Sequence, residues 1–487
     1  MKRLPSTAAV CVFLSVLPAM TQETRGTLTG TIADPSGAAV AGARITARNT
    51  QTNTSAQSTS SGDGTYSMPY LLPGPYTVAV EVQGFKRSVR EGVELRIAER
   101  INLDFTLELG ATQESVNVTE EAPLLEVNSA TTGQVIDRRR IAELPLSEGN
   151  PLTLVQLAPG IVITGGFNSN SALSNSGPSN WEVNGSPGGN EYTLDGAPNT
   201  ADRQTQGAAR VGLQPPTDAV EEFKVVTAGF DAQQGRTAGG SVDVAVRSGT
   251  NAFHGSLYEF VRNDIFMANS FFFNRDGRPK QARRYNRFGG TVGGPILIPK
   301  VYNGKDRTFF FTSYERVRPI TPNLETITVP NEAFRRGDFS ALLERPTPLY
   351  VYDPLTARVE GARIVRSPIQ CNGRVNVICP DRISPIATNY LSLLPLPNTN
   401  LTSTTNNYSG NGPGNNTYDV FLARIDHTFN ERHRVFGRYS QGWRTEMDEN
   451  SAGTVNGVRI NGRLGHRGNK GGVVDYIFVG SSNTILN

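Results

Sequence analysis

Between Phe421 and Trp443 the chain writes one side-chain pattern twice, out and back. Phe421, Ala423, Ile425 and Phe429 fall on one face, and Arg424, Asp426 and Thr428 on the other. Asn430-Glu431-Arg432-His433 then makes a turn. On the return, Val435, Gly437, Tyr439 and Trp443 share one face, with Arg434, Arg438 and Ser440 opposite. A period of two is the signature of strands, and two such runs around a polar turn read as an antiparallel hairpin. The charges constrain the fold further. Arg and Asp on an inner face are costly in a dry core but natural in the wet or filled lumen of a wide barrel, whose apolar and aromatic face meets lipid. A soluble sandwich alternates in the same way, so the charges, not the period, favour a barrel. Arg424, Asp426, Arg434 and Arg438 are the lumen-facing candidates.

A chain of 487 residues is long enough for about three domains at roughly 150 residues each. A hydrophobic content of 37% with 50 Gly and 30 Pro fits a turn-rich, mainly β protein. No run reaches the ~20 apolar residues of a spanning helix, so membrane residence would have to be as strands. The 47 Lys and Arg nearly balance 44 Asp and Glu and are spread along the chain, which implies no nucleic-acid partner. The densest basic run, Lys280 to Arg287, reads as a solvated hairpin loop. Met1-Lys2-Arg3, the apolar stretch Ala8 to Leu17 and Pro18-Ala19-Met20 form the three parts of an export signal, placed at residues 1–22. Cys11 lies inside that apolar stretch. Cys371 and Cys379 are then the only cysteines of the mature chain, close together and bound for an oxidising compartment, and they read as a disulfide. A metal site would need two further ligands, and none of the four histidines is suitably spaced. No cofactor is implied.

Three segments come after the export signal. Residues 25–110 hold Leu28 and Ile32, then Ile45, then Tyr76, Val78, Val80 and Val82, and finally Ile101, Leu103, Phe105, Leu107 and Leu109 interleaved with polar residues. That last run reads as a one-face-buried strand of an antiparallel sheet. Asp34-Pro35-Ser36-Gly37, Gly62-Asp63-Gly64 and Leu72-Pro73-Gly74-Pro75 supply turns. With Thr65-Tyr66 and Gly84-Phe85-Lys86, these residues resemble the carboxypeptidase regulatory-like domain, a transthyretin-like β-sandwich grouped with carbohydrate-binding-like folds. The resemblance implies either a periplasmic spacer or a glycan binder, and no catalysis.

Phe230 to Gly240, Ser248-Gly249-Thr250-Asn251 and Phe253-His254-Gly255-Ser256 resemble the plug-to-barrel passage of TonB-dependent outer-membrane receptors, in particular the Oar-like group. Val242, Val244 and Val246 alternate with Asp243 and Ala245 there. The same family is matched at Ile136 to Pro145, an opening helical turn. It is matched again at Asn184-Gly185, at Tyr192-Thr193-Leu194-Asp195-Gly196 and at Ala219 to Val225. Phe288 to Ile296 and Arg307 to Glu315 are similar to its early barrel strands. The resemblance implies an α+β plug over 125–250 and the first strands of an incomplete outer-membrane β-barrel over 251–487, with a long extracellular loop at about 319–417. Glu114, Ser115, Val116, Asn117, Val118 and Thr119, within a linker at 111–124, resemble a TonB box, a segment that adds as a strand to a partner's sheet. The other reading of these residues is a linker or the first plug strand.

The combined expectation is a receptor in the cell outer membrane, surrounded by lipid. It would take up a large or scarce substrate, such as a carbohydrate or peptide, with energy relayed by a TonB-type inner-membrane partner. The alternative is a secreted or periplasmic carbohydrate-binding β protein. No HExxH, GxSxG or paired carboxylate marks an enzyme. A plugged transporter barrel uses about 22 strands, and the residues after Thr250 supply few, so the chain reads as the N-terminal portion of a longer receptor.

Overall fold

The computed structural model describes residues 24–110, 115–119, 131–146, 149–163, 181–187, 189–201, 210–230, 237, 239–275, 277, 280, 282–399, 404–449, 454–455, 458–459, 462–481 and 484–486. The expected export signal, Glu114 and residues 120–124 lie outside them. The fold is mainly β, as the alternation implies.

The N-terminal unit is a two-sheet sandwich. One sheet runs β3 (Ser55–Thr59), β2 (Arg44–Asn49), β5 (Gly74–Glu81), β6 (Arg87–Leu95) and β9 (Ser115–Thr119). In the other, β1 (Gly26–Ala33) pairs with β4 (Thr65–Leu71), β7 (Arg100–Asn102) and β8 (Phe105–Thr106). Leu28, Ile32, Ile45, Val78, Val80, Ile101, Leu103, Phe105 and Leu107 interdigitate between the sheets as one core. The Tyr66 hydroxyl is buried there and donates to the Leu103 carbonyl at 2.7 Å, so its polar end is satisfied.

Two expectations need correction. The run Ile101 to Leu107 does alternate, but β7 and β8 pair with β1 in parallel, not antiparallel. Alternation reports which face is buried and says nothing of a neighbour's direction. Leu109 is 70% exposed, because it lies beyond the last pairing with β1.

The central unit is a five-stranded sheet ordered β10 (Thr132–Ile136), β15 (Val220–Ala228), β16 (Ser241–Val246), β13 (Glu191–Leu194) and β14 (Ala197–Pro198). A short helix α1 (Arg138–Glu143), capped by Asp137, follows β10. A second small sheet pairs β11 (Ile161–Ile163) with β12 (Trp181–Val183). The alternation along β16 implies one buried face, yet all six of its residues are buried. The polar member, Asp243, is accommodated because the Thr193 hydroxyl donates to it at 2.8 Å.

The rest of the chain builds an antiparallel sheet ordered β17 (His254–Asn263), β18 (Arg284–Pro295), β19 (Thr308–Ile327), β21 (Thr417–Thr428), β22 (His433–Glu449), β23 (Gly462–Ser481) and β24 (Thr484–Leu486), with β20 (Tyr408–Asn415) also on β19. Its end strands do not pair with each other among the described residues. The expected loop at about 319–417 is shorter, since β19 continues to Ile327 and β20 pairs with that extension, with Pro322 opposite Pro413. One face of the sheet packs on the central unit: Tyr285, Phe311, Val317, Tyr418, Val420 and Leu422 share a core with Phe223, Val225, Val242 and Val244. The other face is open and apolar, with Leu257 93%, Val474 79% and Ile425 51% exposed, and Tyr439 and Trp443 beside them.

The sandwich docks where the sheet makes its short turns. Asn53 donates to Asp306 at 3.0 Å and Gln57 to Glu431 at 2.8 Å. Asn251 reaches the Thr52 carbonyl at 2.8 Å, and Arg25 pairs with Asp475 at 2.7 Å. Against the central unit, Lys224 donates to the Ala98 carbonyl at 3.1 Å, and the Ile97 amide donates to Glu222. Burial pushes the Glu222 carboxyl up to about 8; the Ile97 amide opposes the rise, and the charge of Glu221 adds to it.

A carboxyl kept protonated in the docked state stabilises docking fully below its ordinary value of 4.5 and loses that contribution as pH rises through about 8. Hydrogen exchange at the Ile97 amide is therefore expected to quicken across that window beyond its intrinsic pH dependence. Glu222→Gln, which cannot ionise, is expected to remove the excess.

Candidate functional site

The site grows from one turn. β13 and β14 are joined by Asp195-Gly196, with φ of 49° and 78°, the left-handed pair that a tight hairpin of right-handed twist demands. This turn aims the Asp195 carboxylate at the sheet. Its Oδ1 accepts from the Val246 amide at 2.9 Å and from Arg424 Nη1 at 2.9 Å. Its Oδ2 lies 2.9 Å from Arg438 Nε, an ion pair in which the N–H is not aimed at the oxygen. Arg438 spends its aligned donors on the Leu194 carbonyl at 2.8 Å and on Ser440 at 3.0 Å.

Arg424 is also held by Asp426, two residues along the same strand face, through contacts of 2.8 and 2.9 Å. Asp426 accepts a further bond from Ser248 at 2.9 Å. The Arg424 guanidinium lies 4.5 Å from the centre of the Phe436 ring, and Arg25 of the sandwich lies 5.1 Å from the same ring. With Arg25–Asp475, the ion pairs here bring in three guanidinium groups and three carboxylates, and two of the guanidiniums lie over the same phenyl ring. Sandwich, central unit and sheet all contribute.

A second junction lies beside β17. Arg287 pairs with Glu315 at 2.8 Å, and Tyr258 donates to the same carboxylate at 2.7 Å. Arg287 also donates to Thr217 at 2.8 Å, and Thr217 to the Gly149 carbonyl at 2.7 Å. Gly149 has φ of 67°, and a Cβ there would overlap the Arg287 guanidinium, so both backbone and space require glycine. Asp218 accepts from Thr291 at 2.9 Å and from Ser256, and lies 3.7 Å from Arg247. A cavity of about 760 Å³ opens here, lined by Arg138, Ile141, Thr217, Tyr258 and Arg287 among others.

The sequence-derived candidates fall in three places. Arg424, Asp426 and Arg438 meet in the first cluster, while Arg434 is half-buried and donates to the Glu431 carbonyl at 3.4 Å, apart from it. Cys371 and Cys379 form a disulfide with an S–S distance of 2.03 Å in the long connection between β19 and β20. There the buried Asn376 accepts from the Val351 amide at 2.9 Å and donates to the Leu349 carbonyl at 2.8 Å. Ser115, Val116, Asn117, Val118 and Thr119 are neither a free segment nor a central strand; they form β9 on the sandwich edge. Among the described residues, no group of three or more His, Cys, Asp and Glu side chains is arranged to hold a metal.

Asp195, Arg287, Glu315, Asp218 and Glu222 carry the interfaces, and sequence patterning does not mark them. The one available signal is Asp195-Gly196 at a strand turn. Replacing Asp195 with Ala leaves buried cations short of a counter-charge and is expected to cost about 3–5 kcal/mol. Proteolysis of the central unit at a lower temperature than in the parent chain would register that loss.

The carboxypeptidase regulatory-like domain family matches residues 27–108, and the outer membrane beta barrel domain family matches residues 245–487. The TonB-dependent transporter Oar of Myxococcus xanthus is 28% identical over 273 residues, 53% of this chain and 24% of that protein. The chain thus spans about a quarter of the length of this curated relative. Among solved structures, the outer membrane transporter YddB from Escherichia coli aligns at a TM-score of 0.42 and 10% identity, over 72% of this chain and 37% of that one. The siderophore receptor PirA from Acinetobacter baumannii aligns at 0.32 and 14% identity, over 69% and 44%. The chain is thus homologous to the TonB-dependent transporter Oar, carries an outer membrane beta barrel domain and an N-terminal carboxypeptidase regulatory-like domain, and resides in the cell outer membrane.

Proposed function

We propose that this chain acts in TonB-dependent transport across the outer membrane. The central unit is its plug, the large sheet its barrel wall, and Ser115–Thr119 the segment through which a TonB-type inner-membrane protein pulls. The observation that carries the reading is the buried Asp195 cluster, where a unit packed on the inner face of the sheet is held by charge as well as by apolar area. Such a contact is strong while dry and weakens once water enters, which suits a part that must be held and then displaced. The apolar outer face of the sheet fits lipid.

In this reading the protein contributes no covalent chemistry. Substrate, a carbohydrate, peptide or other cargo too large or scarce for passive pores, is met by the connection that carries the Cys371–Cys379 disulfide, at the end of the sheet opposite the docked sandwich. The exposed apolar face of the sheet disfavours a soluble carbohydrate binder.

Deleting Ser115–Thr119 is expected to abolish capture of the purified periplasmic domain of the source bacterium's TonB-type protein, while the chain still fractionates with the outer membrane as a detergent-requiring species. Capture that survives the deletion would sink the coupling role. A chain found soluble in the periplasm would favour the carbohydrate-binding alternative.

A further inference from the structure

The outer face of the large sheet changes character along its strands. Tyr285, Phe311 and Val317 point into the core shared with the central unit, so the alternate positions of β18 and β19 point away from it. Near the short turns and along the middle, outward positions are apolar or aromatic, with Phe429 62%, Val474 79% and Leu257 93% exposed. Toward the long connection they become charged. In register, Phe288 faces Arg316, Asn286 faces Arg318 and Ile320 faces Arg284. Three arginines thus stand on the outer face of two adjacent strands, Arg284 and Arg318 exposed and Arg316 half-buried. Trp443 lies in the row of Arg316, since Asp419 pairs with both.

The change falls at the height of a membrane surface. From Phe429 to Asp419 the chain runs ten residues, roughly 34 Å at ~3.4 Å each and about 26 Å along the normal for a strand tilted ~40°, close to the ~25 Å apolar band of a membrane barrel. A cation on the lipid-facing side is costly at the bilayer midplane and nearly free at its surface, where Trp443 and Phe288 also suit the interface. Nearby carboxylates leave these cations room for another acceptor. Asp419 accepts from the Tyr314 hydroxyl at 2.6 Å and lies 3.6 Å from Arg316 Nε, too far for a hydrogen bond. That Nε is hidden from water and has no acceptor among the described residues. Glu259, opposite Phe288 on β17, is the other acidic neighbour, and Arg284 and Arg318 make no ion pair among the described residues.

We propose that Arg284, Arg316 and Arg318 form a site for the phosphate of an outer-leaflet lipid headgroup, whose acyl chains lie along the apolar face below. Guanidinium forks match phosphate oxygens two at a time, and clustered cations at a membrane surface hold anionic headgroups. The occupant is a lipid because the cations continue directly into the apolar face, which a soluble anion would leave unused. This rests on the reading of the large sheet as barrel wall with the long connection outside the cell.

The test uses the full chain in vesicles of brominated phosphatidylcholine, which quenches tryptophan at close range. Trp443 is 43% exposed, whereas Trp181, the other tryptophan, is 2% exposed and does not meet lipid. Unbrominated lipid A is then titrated in, either diphosphorylated or dephosphorylated. The phosphorylated form is expected to relieve quenching at a mole fraction at least about tenfold lower. The triple variant R284Q/R316Q/R318Q is expected to erase that preference, and R284K/R316K/R318K to keep most of it. Equal relief by the two lipids in the parent chain, a comparison that needs no substitution, would overturn the proposal and leave the barrel wall standing. A preference abolished by millimolar inorganic phosphate would overturn the lipid assignment in favour of a soluble anion. If brominated lipid does not quench Trp443 at all, the face does not meet lipid, and wall and site fall together.

Discussion

A carboxylate sealed from water on every side has to be answered by cations, and the architecture is arranged around that demand at Asp195. The residue belongs to a hairpin turn of the central unit, and its cations, Arg424 and Arg438, belong to neighbouring strands of the large sheet. Neither unit can be fully buried without the other. A lone Asp195 would be an uncompensated charge in a low-dielectric interior, and Arg438 without Asp195 would be the same with opposite sign. The apolar core shared by the two units excludes water, and that exclusion makes the ion pairs matter. Complementary charge thus specifies where the central unit sits, while hydrophobic burial supplies most of the adhesion.

The fold is largely legible because strands declare their faces. The alternation from Phe421 to Trp443 puts Arg424, Asp426 and Arg438 on one side, and these are buried while Ile425, Tyr439 and Trp443 are exposed on the other. The limits of that code are equally physical. The run from Ile101 announces a buried face but not that its neighbour is parallel. Val242 to Val246 alternate, yet a strand in the middle of a two-sided core is buried on both faces, with Asp243 matched by a hydroxyl from the next strand. Asp195 is opaque for a different reason. Its partner Arg424 lies 229 residues away, and no local pattern marks a charge whose counter-charge is that remote. Arg434 shares the period of Arg438 but not its environment, since it lies nearer the turn and reaches only the Glu431 carbonyl among its described hydrogen bonds.

The joint between the sandwich and the large sheet uses different chemistry from the joint between the central unit and that sheet. Asn53, Gln57 and Asn251 make amide contacts at partly exposed positions, where each bond is worth only about 0.5–1.5 kcal/mol net. Glu222 adds a buried carboxyl answered by a backbone amide rather than a cation. Apart from the buried Arg25–Asp475 pair, which reaches the same phenyl ring as the Asp195 cluster, the dock is a set of modest, separable contacts.

The parallel pairing of β1 with β7 and β8 bears on how such a domain carries tension. In a hairpin pulled at its ends, hydrogen bonds break in succession, like a zip. In the sandwich, the chain enters beside Arg25, which is held by Asp475, and leaves after β8 at the far end of a parallel ladder. Tension between those two points runs along the strands and loads the whole ladder in shear, so its bonds must yield together. A domain wired in this way resists unravelling under a pull between those two points.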